Sequence, residues 1–398
     1  MNELLSPIQS KISEPSDLEE LQLLVKNSRN IRTFTPSKRG ELLPAETYCN
    51  MKNFNRILYI TDVSITCESS TPIQEIIAFV ANRNCSLAIT PNEYYSTIGE
   101  LIASTAYPNI LELTFINAKG ELISITPASE HFRYFVASME MLAILYSCTL
   151  GVVAVKEKVL YQNRTYTHLP LDPIGWVKGG LHRRLCYNPY TNKCLMYDHS
   201  YDNIYGEDHA SRAHTWFQGK RGLKVSSTIR EYIHFLIPTY IDAFFKASAG
   251  RSSGSAYQIL SNQEKEISSL EDREVLEILE FESAVLVNEA YAMLDTIQAL
   301  IMNWKSQGYY LWLGVEMSFK PADNHPLSAC YQQDVIMFKF RFNHSEEDAD
   351  EFIQSLQQVM GNRFNIAEYS LLPVSSCFGW DEFNRVRVLY DLENKFSL

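Results

Sequence analysis

The chain has 398 residues, a hydrophobic fraction of 46% and a formal net charge of −12, so it can bury a large core and is long enough for two domains. An acidic balance without a basic stripe argues against a nucleic-acid partner, and the absence of any run of about 18 apolar residues argues against a membrane-spanning helix. Eight cysteines are scattered with no C-x-x-C pair and no histidine at zinc spacing, so they read as reduced thiols of a cytoplasmic protein with no structural metal.

The opening residues MNELLSPIQSKISEPSD carry neither a basic flank nor an apolar run, so no export signal is expected there. Ser16 followed by Glu19 predicts a capped helix with Leu21, Leu24 and Val25 on its apolar face, leading to Arg32 and a polar loop, Thr35-Pro36-Ser37-Lys38-Arg39. Ile60, Val63 and Ile65 alternate as a strand does. Ser69-Ser70-Thr71-Pro72 then starts a helix with Ile73, Ile76, Ile77 and Val80 on one face. A loop-to-helix turn follows at Ser96-Thr97-Ile98-Gly99, then a hairpin LELTFINAKGELISIT turned at Ala118-Lys119-Gly120. The run EHFRYFVASMEMLAIL predicts a helix over 130–145, and LGVVAVKEKVL a closing strand over 150–160.

This order of elements resembles the FAD-binding (PCMH-type) domain of the vanillyl-alcohol-oxidase superfamily, nearest in pattern to the sugar-1,4-lactone oxidases. The resemblance implies an α+β fold: a two-part FAD-binding domain over 1–160, then an antiparallel-sheet substrate domain with flanking helices over 161–398, its C-terminal tail packing back on the first. It implies FAD as cofactor, its pyrophosphate held on backbone N–H groups of glycine-rich turns. The family turn "TIGGliat" falls on Thr97 to Ser104, so Ser96, Thr97, Ile98, Gly99 and Ser104 are the implied contacts, with Glu100 where the second glycine would stand. The family's first phosphate loop falls on Thr35, Ser37 and Lys38, without its glycines or its flavin-linking histidine, so any flavin is bound non-covalently; a solvated loop is the alternative reading of these residues. Gly151, Val152 and Val153 match the element "GalGvv", where flat backbone lets a flavin ring lie close.

From Tyr161 the composition shifts toward Tyr, His, Asn and Asp. A strand over 183–187 ends in an Asn188-Pro189 turn, 226–245 reads as helical, 251–255 as a loop, and 268–304 as two long amphipathic helices. His199, His209 and His214 fit no common ligand spacing. The segment LWLGVEMSFKPADNHPLSACYQQD lies on the lactone-oxidase pattern and brings Glu316 onto the family's active-site glutamate, a sheet position facing the flavin; the arginine two residues on is Ser318. GNRFNIAE replaces the family's histidine by Asn365 and its lysine by Glu368.

The implied catalytic set is therefore Glu316, Glu368 and Asn365, with Glu316 or Glu368 as general base. A small polyol or sugar-lactone-like molecule is the implied substrate. Two other readings stay open: a catalytically inactive scaffold of the same fold acting as a binding protein, and a zinc hydrolase built on the 199–214 histidines.

Overall fold

A computed structural model describes residues 11–34, 45–87, 97–104, 109–154, 159–180, 183–200, 236–248, 250–254, 279–311, 314–342, 351–352, 354–356, 358–359 and 379–396. The chain divides into two units, one of Met1–Val155, Asp323–Tyr331 and Pro373–Leu398, the other of Lys156–Ala322 and Gln332–Leu372. The sequence reading assigns 323–331 to the second domain, whereas its contacts put it in the first.

The first unit begins with β1 (Lys11–Ser13), α1 (Leu18–Asn27), β2 (Ile31–Phe34) and β3 (Thr47–Asn50), the strands forming a parallel sheet in the order β1-β3-β2. The cap of α1 sits one residue later than the sequence suggests. Asp17 accepts the Glu20 N–H at 2.9 Å, and the Glu20 carboxylate reaches back past the cap to accept the Ser16 N–H at 2.8 Å, a variant of the capping box. Next come β4 (Ile57–Ile60), β5 (Ser64–Glu68), α2 (Ile73–Ala81), β6 (Cys85–Leu87), α3 (Ile98–Ser104), β7 (Ile110–Ile116), β8 (Leu122–Ile125), α4 (Phe132–Phe135) and β9 (Ile144–Ala154). They build an antiparallel sheet in the order β4-β5-β9-β7-β8, with β6 also on β9. As expected, α2 buries Ile73, Ile76, Ile77 and Val80.

The helix expected over 130–145 shrinks to Phe132–Phe135; residues 136–143 are turns and bends, and only Ile144 and Leu145 already belong to strand β9. The helix breaks at Ala137, Met139 and Glu140, whose φ of 55°, 51° and 58° a right-handed helix does not accommodate; β9, which follows, is buried along most of its length between β5 and β7. A strand buried on both faces loses its polar alternation, so a continuous apolar run does not tell strand from helix.

The second unit contains β10 (Val159–Tyr166), α5 (Pro173–Lys178), β11 (Arg184–Tyr187), β12 (Cys194–Ser200), α6 (Ile237–Ser248), β13 (Gly250–Gly254), β14 (Leu279–Leu286), α7 (Ala290–Ser306), β15 (Val315–Lys320) and β16 (Val335–Phe342). Seven strands run β13-β10-β12-β11-β15-β16-β14, every pair antiparallel. Two expectations are corrected here: 250–254 is an edge strand rather than a loop, and 279–286 is strand rather than helix. In LEFESAVL, Phe281, Ser283 and Val285 alternate with Glu280, Glu282 and Ala284, a period of two that the flanking helical pattern hides. One face of the sheet carries Leu185, Tyr187, Val315, Met317, Ile336, Phe338 and Phe340 and buries them with Leu294, Ile297, Ile301 and Trp304 of α7.

Two later segments complete the first unit. The carboxylate of Glu382, on α8 (Trp380–Tyr390), accepts hydrogen bonds from the Tyr134 hydroxyl at 2.7 Å, from the Tyr331 hydroxyl and from Arg133. Farther on, Phe396 joins the core of Leu21, Val25, Ile31, Cys49, Phe54, Ile116 and Ile144.

Candidate active site

In the first unit, the Thr97-Ile98-Gly99 turn lies against the Ser69–Pro72 turn, with a bridge between Pro72 and Thr97. Gly99 is a glycine because a Cβ there would stand 2.7 Å from the Ser69 carbonyl oxygen. The amides at the start of α3 are all engaged: Ile98 N–H on Thr71 O at 3.1 Å, Gly99 N–H on Ser69 O at 2.7 Å, Glu100 N–H on Thr97 Oγ1 at 3.3 Å, Leu101 N–H on Thr97 O at 3.2 Å. The expectation that they point at a pyrophosphate is corrected: this turn spends its donors fastening itself to its neighbour. What it keeps is the Thr97 hydroxyl proton and, alongside, Ser69 Oγ, which is buried with no partner among the described residues.

Gly151 lies inside β9 opposite Ser64, and its missing side chain makes room for Asn109, whose amide nitrogen would be 2.3 Å from an added Cβ. Val152 is buried, pairs with Leu87 and donates its N–H to Val63 O at 2.9 Å; Val153 is 44% exposed. The glycine-like backbone falls earlier. Ala137, Met139 and Glu140 have φ of 55°, 51° and 58°, left-handed values that bulky side chains seldom adopt. Glu140 turns its carboxylate onto the Thr33 hydroxyl and, at 3.4 Å, the Leu145 N–H. Beside it, burial draws the Arg32 guanidinium below its ordinary range against the pull of Tyr48 and Glu140. Sequence reasoning missed this group, and no local signal marks a left-handed glutamate. Thr35, Ser37, Lys38 and Ser96 lie outside the described residues, as does the side chain of Ser104.

The second unit carries a row of charged residues across its sheet. Directly opposed positions on antiparallel strands share a face. Register therefore lines up Leu195 of β12, Cys186 of β11, Glu316 of β15, Lys339 of β16 and Glu282 of β14 on the face away from α7. Arg184, two residues along β11, reaches Glu316 Oε1 from Nη1 at 3.6 Å, and the Cys186 thiol lies 3.9 Å from Glu316 Oε2. Lys339 is 5% exposed and its Nζ donates to Glu282 Oε1 at 2.8 Å. The side chain of Glu316 is 12% exposed and that of Arg184 24%, so both sit well inside the low-dielectric surface where such charges count. Toward β12 the same face is covered by Ile237, Ile241 and Phe245 of α6.

Among the sequence-predicted catalytic residues, Glu316 is thus on a structured polar face; Asn365 and Glu368 lie outside the described residues. Of the three histidines weighed as ligands, His199 is in β12 while His209 and His214 are outside the described residues; among the described residues no group of three His, Cys, Asp or Glu could hold a metal ion. No described helix is long and apolar enough to cross a membrane.

No family model and no curated protein sequence matches the chain. Solved structures do. Cholesterol oxidase from B. sterolicum superposes with a TM-score of 0.70 at 14% identity over 97% of this chain and 92% of its own. A chitooligosaccharide oxidase gives 0.65 at 10% identity over 97% and 90%, and berberine bridge enzyme 0.63 at 11% over 99% and 90%. The chain has the α+β fold of the PCMH-type FAD-binding oxidases. At these identities the likeness establishes the fold and leaves the lactone-oxidase specificity to be argued from the site.

The donor set of the first unit fits a flavin nucleotide through side chains rather than through the α3 amides. Ser69 Oγ is a buried hydroxyl lacking a partner among the described residues, Thr97 retains a hydroxyl proton, and Arg32 supplies a cation near the start of β2.

Proposed function

We propose that this protein is an FAD-dependent oxidoreductase that binds its flavin non-covalently and oxidises an alcohol group of an uncharged, polyhydroxylated small molecule, a polyol or a sugar-lactone-like compound. The observation that carries this reading is the Arg184, Cys186, Glu316, Lys339, Glu282 face on β11, β15, β16 and β14, in a chain with an oxidase fold. Within that row two cations and two carboxylates balance, so it offers hydrogen-bond donors and acceptors without a net charge of its own, which suits hydroxyl groups better than an ionised ligand.

FAD, when bound, supplies the acceptor for the two electrons and the hydrogen leaving the carbinol carbon. Ser69, Thr97 and Arg32 would hold its polar groups. A Glu316 carboxylate oxygen accepts the proton of the substrate hydroxyl as the carbonyl forms, and Arg184 orients that carboxylate from 3.6 Å. Cys49, Cys67, Cys85, Cys148, Cys186, Cys194 and Cys330 carry free thiols, in keeping with a cytoplasmic location, and the acidic balance suits a protein without a nucleic-acid partner.

The test is an absorbance scan of the purified protein from about 350 to 500 nm, followed by addition of polyols and aldonolactones. Flavin bands that bleach with a hydroxylated substrate support the reading, and their absence after loading with excess FAD overturns it. A second reading, a flavin-free binding scaffold, is favoured by one observation, the complete internal use of the α3 amides; it predicts colourless protein and no flavin on acid extraction.

A further inference from the structure

The row of charge across β15, β16 and β14 has an unusual order. Lys339 is flanked in register by Glu316 on one side and Glu282 on the other, and it is itself 5% exposed. Directly opposed side chains have Cβ atoms about 5 Å apart, so one ammonium stands between two carboxylates on neighbouring strands. Its ion-pair partner among the described residues is Glu282, at 2.8 Å and with a side chain 30% exposed. A buried ammonium is stabilised by carboxylates around it, and the second carboxylate in register with Lys339 is Glu316.

We propose that Lys339 is a positioning residue for Glu316: shared between the two carboxylates, it holds Glu316 ionised and aimed outward from the sheet as a proton acceptor. The inference rests on the reading of Glu316 as the base of an alcohol oxidation and adds the group that sets its charge. Glu282 is the competitor that limits how much of the ammonium Glu316 receives.

The other charged groups near Glu316 are few among the described residues. From β11 come Arg184, at 3.6 Å, and the Cys186 thiol, at 3.9 Å. Arg184 is also drawn sideways, its guanidinium 5.2 Å from the Tyr197 ring. From α6, packed on the same face, the charged side chains are Asp242, paired with Lys193 at 2.5 Å, and Lys246. Lys339 is therefore the cation placed in register opposite Glu316, and Arg184 the diagonal one.

An opposite charge within about 4–6 Å lowers a carboxyl pKa by about 1–3 units. Titration of the full-length protein labelled with 13C at glutamate Cδ, with the Glu316 signal assigned from Glu316→Gln, reads this without any flavin. Lys339→Met should raise the Glu316 midpoint by about 1–2 pH units, and Lys339→Arg should return it to within about half a unit of the parent. Glu282→Gln should move it the opposite way, because the ammonium is then left to Glu316 alone. If Lys339→Met does not fold, the Glu282→Gln shift decides. In the flavin-loaded enzyme, the acid limb of kcat/KM should follow the same order of variants.

An unmoved Glu316 midpoint in folded Lys339→Met, or an upward move in Glu282→Gln, overturns the proposal. Correct midpoint shifts in a protein that neither binds flavin nor oxidises alcohols would uphold the Lys339–Glu316 coupling and remove the oxidoreductase reading alone.

Discussion

Lys395 offers the sharpest test of how the C-terminal segment is fastened. It is 4% exposed, and its ammonium donates to Val25 O at 3.1 Å, Lys26 O at 3.2 Å and Ala118 O at 2.8 Å. Two of those carbonyls end α1, where a helix has no internal donors left and its dipole favours a cation. Asp391 prepares the geometry by accepting the Lys395 N–H at 2.7 Å and the Phe396 N–H at 2.8 Å. In Lys395→Met the chain length is kept and three acceptors, one buried and two part-buried, lose a charged donor. Hydrogen bonds to a charged group contribute about 1.5–3 kcal/mol each, and relief from burying the ammonium offsets part of this, so a net loss of about 3–5 kcal/mol is expected. Urea unfolding followed by far-UV circular dichroism measures the loss, and faster amide exchange in Leu18–Asn27 localises it. Glu393→Gln, an exposed charge two residues away, should stay within about 0.5 kcal/mol. A Lys395→Met loss below about 1 kcal/mol, or an α1 that exchanges no faster, would refute the clasp.

Gly99→Ala should cost about 1–3 kcal/mol because its Cβ would meet Ser69 O at 2.7 Å, and flavin retention should fall only in step with the lowered Tm; loss of flavin at an unchanged Tm would return the turn to direct cofactor contact. Ser283→Ala should raise stability by about 1 kcal/mol, since its hydroxyl is fully buried with no partner among the described residues; an equal loss in urea titration would mean that a partner exists. The Tyr331 hydroxyl, then that of Tyr134, holds the Glu382 carboxyl below its ordinary range. Its stabilising contribution is therefore complete above the usual glutamate pKa and disappears as pH falls through the depressed folded value. The stability gap between the parent and Glu382→Gln should accordingly be full near neutrality and close in acid; a gap that widens on acidification contradicts the assignment.

How far the fold could be read from sequence depended on whether each element has one wet face. Helix α2 does, and its Ile73, Ile76, Ile77, Val80 stripe is buried as its spacing predicts. The β7–β8 hairpin was equally legible, because Gly120, at φ 79°, supplies the turn that its neighbours cannot. Strand β9 was legible only from Leu150 on, its first residues lying in a continuous apolar run that also reads as helix, and β14 was masked by the helical pattern next to it. The resemblance to the PCMH-type oxidases supplied the order of elements where periodicity was silent, and the superposition on cholesterol oxidase supports it at the level of the fold.

The candidate site divides along a different line. Glu316 was found because a motif carries it, but Lys339 sits in VIMFKFRF, where an alternating strand presents every second residue to the same side and a lysine there looks like any solvated cation. Only the pairing of β16 with both β15 and β14 reveals that its two register neighbours are carboxylates and that water is nearly gone. That is a non-local fact, set by which strands become neighbours, and no window of sequence contains it. The same reasoning explains Gly99 in reverse. A glycine in a family phosphate motif suggested an anion, yet the residue 2.7 Å from its absent Cβ is Ser69, thirty positions earlier in the chain. A glycine marks close backbone approach; what approaches it is decided by topology, and here that is the chain itself.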